Sequence, residues 1–409
     1  MAVIPARSER FFFTVQLMGL ILATTIAAGG GQFPGNKAGM FLYAKLLLFL
    51  VPAAILFWKI LTDKLSLQAI KQFLCDYKLL LVYLLSLAIS IPLSIAPGFS
   101  LQRYLYMCLG FSSLFCLMIQ YKNEALPFYK TSIYLVSILV TAILCIVYVT
   151  SPYGNLRDAV QIFGLVHPNM LSSLLAQIAL IILCCPGQAM IKTGLLAALS
   201  FFILFLQSRG VWVALSIALT GALFVKAVFY QSRPALLGLI ALCLTVLFAV
   251  MGFLFFPHAL EHMLILFARG SSLDELLSLT HRTELWQMLF DDVGTKEILV
   301  GHGFALMLSN IGADFGSGIL YGAHNGYLTI FLGAGLLPLL LWLFYWSWQK
   351  ISLLKAIRQV PSYLFILCLS SLALLFVHAF VAEEFGMHLT PTLLLVILNF
   401  HFAKRQAVS

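Results

Sequence analysis

The chain has 409 residues, of which 62% are hydrophobic and 10% charged, and its formal net charge is +9. Soluble domains contain about 45–50% apolar and about 25% charged residues, so this composition excludes an ordinary soluble protein. A disordered or collagen-like chain is excluded as well, because aromatic residues are abundant and the 28 glycines follow no period.

Twelve apolar stretches are candidates for transmembrane helices. A hydrocarbon core of about 30 Å requires about 20 apolar helical residues, and the stretches lack the alternation expected of barrel strands. They cover residues 11–29, 40–61, 79–96, 104–120, 131–150, 170–186, 191–207, 211–230, 235–256, 326–346, 363–382 and 389–403. We therefore predict an all-α polytopic membrane protein with about 12 transmembrane helices. The first stretch is interpreted as a span and not as a cleaved signal peptide, since a glycine run and further spans follow it.

The positive charges predict how these helices are oriented. With both termini in the cytoplasm, sixteen lysines and arginines fall on the cytoplasmic side and seven on the outer side, a strong positive-inside bias. The outer seven are Lys37, Arg103, Arg157, Arg209, Arg269, Arg282 and Lys296. The cytoplasmic lysines and arginines, which set the orientation in the membrane, explain most of the net positive charge. No nucleic-acid partner is therefore expected.

One outer loop, residues 257–325, is far longer than the others. It divides the chain into a region with spans one to nine (1–256), the periplasmic loop itself, and a region with spans ten to twelve and a cytoplasmic C-terminus (326–409). Loops of this length in compact proteins are usually functional or disordered. Helix signals favour a small folded cap that lies over a cavity.

Two short helices and a turn are predicted within this loop. Ser272 is a candidate N-cap for a helix from Leu273 to Leu277, and Thr280 for a second helix through Phe290. On the second helix Arg282, Trp286 and Leu289 share one face. The run Gly301-His302-Gly303-Phe304 predicts a tight turn.

Three residues at the outer membrane boundary are the leading site candidates: Arg209, Arg282 and His324. Each has a structural interpretation, since an arginine can anchor at the interface or pair with a carboxylate and a histidine can form an interfacial hydrogen bond. Taken together, two permanent cations and a titratable base suit a diphosphate leaving group and a hydroxyl nucleophile.

Weaker candidates accompany these three. His167, in His167-Pro168-Asn169, fits a structured turn into the sixth span as well as a site role. Arg103 and Arg157 could add positive charge to the same cavity or contact lipid headgroups. Glu384, with Glu383, could position His324 or simply end a helix, and His378 lies inside the eleventh span.

Metal and cofactor chemistry is not expected. Seven of the eight cysteines lie in the apolar stretches and none lies in an outer loop, which argues against disulfides and zinc sites. The acidic residues of the long loop show no metal-ligand spacing with its histidines, and no phosphate-binding glycine loop with a lysine is present.

These motifs resemble the O-antigen ligase and polymerase superfamily. The resemblance consists of Ser208-Arg209-Gly210 at a span end, a long outer loop with Arg282 ahead of Trp286, the Gly301–Phe304 turn, and His324-Asn325 separated by nine residues from Gly335. The His167-Pro168-Asn169 turn is similar as well. Two positions depart from the ligase pattern, namely Pro338 where a small residue is common and Val213 where leucine is common.

The resemblance implies an inverting, metal-independent glycosyltransferase with a GT-C-like fold in the bacterial inner membrane. Its donor would be a glycan on undecaprenyl diphosphate, and its acceptor a sugar hydroxyl of lipid A–core on the periplasmic side. By motif, Arg209 and Arg282 would bind the diphosphate and His324 would be the catalytic base. Asn325, next to that base, is a secondary candidate.

Two alternatives remain open. A polymerase of O-antigen or exopolysaccharide repeats would use the same donor and a similar site. A transporter or flippase of a lipid-linked or anionic solute also fits twelve spans, but it predicts polar residues at mid-span, internal repeats and broken helices. The charges instead cluster at the outer end and no internal repeat is found, which favours the transferase.

Overall fold

The computed structural model describes residues 7–27, 37–62, 66–94, 96–121, 125–150, 167–255, 282–291, 293–304, 324–382 and 389–408. Within these ranges the chain forms sixteen helices and no strand. In chain order they are α1 (Arg7–Ala27), α2 (Lys37–Leu61), α3 (Leu67–Asp76), α4 (Lys78–Ala88), α5 (Pro97–Gln120), α6 (Ala125–Thr150), α7 (Pro168–Cys184), α8 (Ala189–Phe205), α9 (Arg209–Phe229), α10 (Arg233–Phe255), α11 (Arg282–Asp291), α12 (Thr295–Val300), α13 (Gly326–Ala334), α14 (Leu336–Lys355), α15 (Ser362–Ala379) and α16 (Pro391–Val408).

The predicted all-helical fold is confirmed for the described residues, and each of the twelve apolar stretches overlaps a helix. In the part of the chain that the structure describes, three helices are long and apolar enough to cross a membrane: Leu126–Thr150, Arg209–Phe229 and Ser362–Ala379. Five shorter apolar helices accompany them: Leu46–Leu61, Lys78–Ala88, Pro168–Cys184, Ala189–Phe205 and Arg233–Thr245. The number of twelve spans and the GT-C-like arrangement therefore stay predictions.

Two of the predicted stretches are not single continuous helices. The stretch 326–346 is broken at Gly335, whose φ of +91° ends α13 and starts α14. The stretch 79–96 is helical only as far as Ala88. Pro92 explains the second break, because its ring would clash with the carbonyl of Ala88 and it disfavours helical geometry at the preceding residue.

Helices α7, α15 and α16 form the centre of the bundle. Every residue of α16 from Pro391 to Ala403 is buried, as are residues 171–182 of α7, and a helix that is apolar all round belongs in such a core. Uncharged polar side chains join these helices. Gln177 Nε2 and Asn399 Nδ2 both donate to Ser371 Oγ, at 2.6 and 3.0 Å, and Tyr129 donates to Asn399 Oδ1 at 2.7 Å.

The periphery of the bundle is apolar. Phe57, Trp58 and Val149 are among many large hydrophobic residues that are more than half exposed. Soluble monomers rarely present so much contiguous apolar surface, because it drives association in water. This surface and the apolar helices are those of an integral membrane protein.

Positive charges gather at one end of the bundle, where the ends of several helices meet. Arg10 of α1 lies over the Phe128 ring of α6, and Lys130 of α6 donates to Tyr363 of α15 at 3.3 Å. The same end includes Lys59 over the Tyr121 ring, and the Arg405–Asp76 ion pair. We call this the basic end, and the other end of α15, at Ala379, the far end.

Candidate functional site

Arg209 is the first residue of α9, at the far end of the bundle. Gln207, two residues earlier, has a φ of +51°, and the buried Ser208 is the N-cap residue, so the chain turns sharply into the helix. Gly210 then packs directly on α15, because a Cβ at this position would meet the Val381 side chain and would lie 3.3 Å from the ring of His378. Glycine in the Ser-Arg-Gly motif therefore allows α9 to approach α15 closely.

His324 immediately precedes α13 and has a φ of +48°. Asn325 is the N-cap of this helix. Its Oδ1 accepts hydrogen bonds from the amides of Tyr327 at 3.0 Å and Leu328 at 3.2 Å, which otherwise have no partner within the helix. Thr329 Oγ1 donates to the Asn325 carbonyl at 2.8 Å. The His-Asn pair is thus a turn followed by a well-capped helix start.

Tyr327 attaches this helix start to the far end of α15. Its hydroxyl donates to the Phe376 carbonyl at 3.0 Å, and its ring lies 4.8 Å from that of Phe380. Gly210 lies against His378 of α15 and against Val381, which follows the end of this helix. The last turns of α15 therefore hold both the helix that Arg209 begins and the helix that follows His324.

The predicted helix with Arg282 is present as α11, which begins at Arg282 and ends at Asp291. Leu289 is buried against Leu332 of α13, and Trp286 packs on the same cluster, which confirms the predicted apolar face. The side chain of Arg282 lies outside the described part of the chain. What the structure shows is that its helix is seated on α13, the helix that His324 precedes.

The predicted turn at Gly301–Phe304 is also present and is bound to the end of α13. The amides of His302 and Gly303 donate to the carbonyls of Leu332 and Gly333 at 2.7 and 3.0 Å. Phe304 is buried and meets the Tyr104 ring edge-on at 5.9 Å. This turn is in this way joined both to α13 and to α5.

Gly301 and Gly335 explain why these two segments can meet backbone to backbone. Gly301 has a φ of +70°, and a Cβ there would lie 2.5 Å from the Ala334 nitrogen. Gly335 has a φ of +91°, and a Cβ there would lie 2.5 Å from the Leu299 carbonyl carbon. Each glycine is required by its positive φ and by the absence of space for a side chain.

The short helix α12, Thr295–Val300, was not predicted. Two signals for it are present in the sequence, since Gly294 stands at its N-cap and Glu297 lies in its first turn, where the helix dipole favours an acidic residue. At six residues its pattern is too short to separate from a loop. This helix ends just before Gly301, which lies against the end of α13.

The secondary candidates are placed as follows. His167 is the N-cap of α7, where its Nδ1 accepts from the Asn169 amide at 3.3 Å, as expected of the structured turn. Arg103 is half-buried on α5 and lies over the Phe99 ring at 5.0 Å. Asn325 is the cap described above. Arg157, Glu383 and Glu384, like the predicted helix Leu273–Leu277, lie outside the described residues.

Helix register places His167 at the far end too. Gln177 pairs with Ser371. The two helices run antiparallel, because Gly187, just after α7, lies against Tyr134 of α6, and Lys130, one turn earlier on α6, donates to Tyr363 at the start of α15. His167 precedes Gln177 by as many residues as Val381 follows Ser371. Since a helix rises by about 1.5 Å per residue, His167 and Val381 lie at about the same height along the bundle.

Among the described residues no group of three His, Cys, Asp or Glu side chains is arranged to hold a metal ion.

The arrangement can serve a phosphorylated substrate. The far end carries an arginine at a helix start and a histidine in a tight turn, and the described parts of the long loop pack against the helix that follows this histidine. Fold and surface define an integral membrane protein built of helices.

A comparison with known protein families gives a match to part of the chain. Residues 194–343, somewhat more than a third of the chain, match the family model described as O-antigen ligase. This confirms the resemblance to the O-antigen ligase superfamily and indicates a glycosyltransferase-like enzyme. The matched segment includes Arg209, Arg282 and His324 and leaves out Arg103, Arg157, His167 and Glu384. A comparison with curated proteins found no match.

Proposed function

We propose that this protein is an O-antigen ligase of the bacterial inner membrane. It transfers a glycan from undecaprenyl diphosphate to a sugar hydroxyl of lipid A–core at the periplasmic face, and both of its termini are cytoplasmic. The observation that carries the proposal is the O-antigen ligase match across Arg209, Arg282 and His324. Support comes from the packing, since the helices associated with these residues are all held by α13 and α15.

In this proposal His324 is the catalytic base. The acceptor hydroxyl oxygen attacks the anomeric carbon of the donor sugar, and the bond from that carbon to the diphosphate oxygen breaks. His324 takes the proton of the hydroxyl, and undecaprenyl diphosphate leaves as an anion. Attack from the face opposite the leaving group inverts the anomeric centre without a covalent enzyme intermediate. An imidazole suits this step because its ordinary pKa is near neutral.

Arg209 and Arg282 are the proposed diphosphate ligands. A guanidinium binds phosphate oxygens in bidentate fashion and stays charged at any physiological pH. The attraction between each arginine and the diphosphate would be strongest when negative charge develops on the leaving group. The two arginines would therefore stabilise the transition state more than the ground state. Such a leaving group needs neither a general acid nor a metal ion.

The secondary candidates take supporting roles in this proposal. Arg103 and Arg157 would add positive charge around the diphosphate, and Glu384 would orient His324. His167 and Asn325 act through the backbone, because each caps a helix at the far end. Membrane lipids surround the protein, and nucleic acid is not a partner.

The polymerase alternative is favoured by the two departures from the ligase pattern, Val213 and Pro338. The structure accommodates Pro338 without cost, since it lies in the first turn of α14, where a backbone N–H has no partner within the helix. Val213 is 57% exposed on α9, so its side chain is not part of the packed core. Neither residue therefore needs a different reaction to explain it.

The transporter alternative is favoured by one observation, the helix break at Gly335. Discontinuous helices line the substrate sites of many transporters. Here, however, the break is filled by the backbone of Leu299–Gly301 from the long loop. The polar side chains found at mid-bundle, Gln177, Ser371 and Asn399, are uncharged and hydrogen-bonded to one another. These features suit a packed interface better than a solute pathway.

The lipopolysaccharide ladder of a deletion strain tests the proposal. We expect core-only lipopolysaccharide, with polymer retained on the lipid carrier, and restoration of the ladder by the wild-type chain. Core with a single repeat would instead assign an O-antigen polymerase. An unchanged ladder would exclude both O-antigen roles.

A further inference from the structure

A cavity of about 670 Å³ opens at the basic end, away from the candidate site. Its walls come from the junction of α3 and α4 and from the last turns of α14 and α16. Lining residues include Tyr77, Lys78, Trp348, His401, Lys404 and Arg405. The proposed glycan transfer makes no use of this cavity.

One wall presents buried polar atoms without a partner. His401 is 1% exposed, and its Nδ1 is hydrogen-bonded to the Tyr77 hydroxyl at 2.8 Å. Its Nε2 has no hydrogen-bond partner among the described residues, and neither has the Oε1 atom of Gln349, which lines the same cavity. Leaving a buried polar atom unpaired costs free energy, so such atoms beside a cavity point to a bound polar group.

The charge around the cavity is positive. Lys78, Lys404 and Arg405 line it together with a single carboxylate, that of Asp76. Arg405 Nη2 lies 3.8 Å from Asp76 Oδ2, and the Asp76 side chain is 46% exposed. An ion pair this long and this exposed contributes little and does not use the five donors of the guanidinium. The cavity is therefore suited to an anion with several acceptor oxygens.

The remaining wall is apolar and opens toward the outer surface of the bundle. Phe344 and Trp348, on successive turns of α14, line the cavity and are 53% and 48% exposed. Aromatic residues at the end of an apolar helix are typical of the membrane–water interface. A ligand in this cavity thus contacts cations on one side and a membrane-facing aromatic surface on the other.

We propose that this cavity binds the phosphate group of an anionic membrane lipid. The phosphate oxygens accept from Lys78, Lys404 and Arg405, and a headgroup hydroxyl or the phosphate pairs with His401 Nε2. The acyl chains pass along Phe344 and Trp348 into the bilayer. Free phosphate could make the same contacts with the cations, but it would make none with Phe344 and Trp348. A lipid contacts both walls and therefore fits better. Basic cavities between helix ends are known to bind such headgroups.

Lipid retention measured by native mass spectrometry tests this proposal. The full chain is purified in detergent micelles that contain equimolar phosphatidylglycerol and phosphatidylcholine. We expect the wild type to retain phosphatidylglycerol in preference, and Lys404→Gln to retain about fivefold less of it. The matched control is Lys355→Gln, which removes an equal charge from an exposed position of α14 that does not line the cavity.

Two further measurements test the position of the site and the nature of its ligand. Lys78→Gln changes an exposed residue that lines the cavity, so it serves where Lys404→Gln does not fold; we expect it too to lower retention. Equal retention by a cavity variant and Lys355→Gln would overturn the site. In the other measurement, inorganic phosphate is added as competitor. Displacement of the lipid by millimolar phosphate, or equal retention of the two lipids, would overturn the assignment to a lipid.

Discussion

Gly335 lies directly against the peptide group of Leu299, with no space for a side chain between them. This contact joins the helix break in the predicted tenth span to the short helix α12 of the long loop. The turn at Gly301 reinforces it, because the His302 amide donates to the Leu332 carbonyl at 2.7 Å. The described segment from Thr295 to Phe304 is therefore packed against the rest of the fold, and Gly335 lies at the centre of that contact.

Gly335→Ala is expected to destabilise the protein by roughly 2 kcal/mol or more, because alanine disfavours a φ of +91° and its methyl group would overlap Leu299. The measurement is the midpoint of thermal unfolding in detergent. Gly221→Ala is the matched control, since Gly221 is helical and exposed with nothing within 4 Å of its Cβ direction. We expect this control to be neutral or slightly stabilising. Equal effects of both changes would contradict the contact.

Gly210→Ala is expected to separate α9 from α15, because its methyl group would overlap the Val381 side chain. We expect a destabilisation of about 1–3 kcal/mol, as for overpacking in a core. Val381→Ala frees that space, so the double variant should recover much of the stability that Gly210→Ala loses. A double-mutant cycle on the unfolding midpoints measures this coupling. Strictly additive effects would show that the two residues do not meet.

Asn325→Ala is expected to cost about 1 kcal/mol, because the amides of Tyr327 and Leu328 lose their shared acceptor. Asn325→Asp keeps an acceptor at the same position and should retain stability. Glycan transfer is assayed beside thermal unfolding for both variants. If Asn325→Asp is stable but inactive, the residue has a chemical role and is more than a helix cap.

His324→Ala, Arg209→Ala and Arg282→Ala are each expected to reduce transfer by at least about a hundredfold, because they remove the proposed base or a diphosphate ligand. The measurement is complementation of the ladder in the deletion strain, with protein amount in the membrane fraction determined in parallel. Lys296→Ala is the matched control, as it removes an exposed cation from the same outer loop. Full activity in His324→Ala would refute the assignment of the base.

Transfer is expected to survive a metal chelator. The proposed chemistry relies on arginines to offset the charge of the leaving group, so no divalent cation is needed. The measurement is transfer by the purified protein in the presence of excess chelator, with a metal-dependent glycosyltransferase as the positive control for chelation. Loss of activity that added Mg²⁺ restores would refute the metal-independent mechanism.

Several features were predictable from the sequence because they depend on local pattern. Runs of apolar residues dictate helices, and all twelve stretches contain one. His167 was expected in a structured turn into a helix, and it is the N-cap of α7. The glycines at 301 and 303 predicted a turn, and both have positive φ. The spacing of Trp286 and Leu289 predicted the buried face of α11.

Other features could be seen only in the tertiary structure, because they depend on contacts between distant parts of the chain. The stretch 326–346 is apolar throughout, so only the approach of the Leu299 backbone explains why it breaks at Gly335. Likewise, the attachment of Arg209's helix and His324's helix to one end of α15 depends on side-chain packing between residues far apart in the chain. The sequence by itself determined the helical class, the charge asymmetry and the candidate residues. The attachment of α9 and α13 to one end of α15 was decided by packing, because residues so distant in sequence meet only in the folded chain.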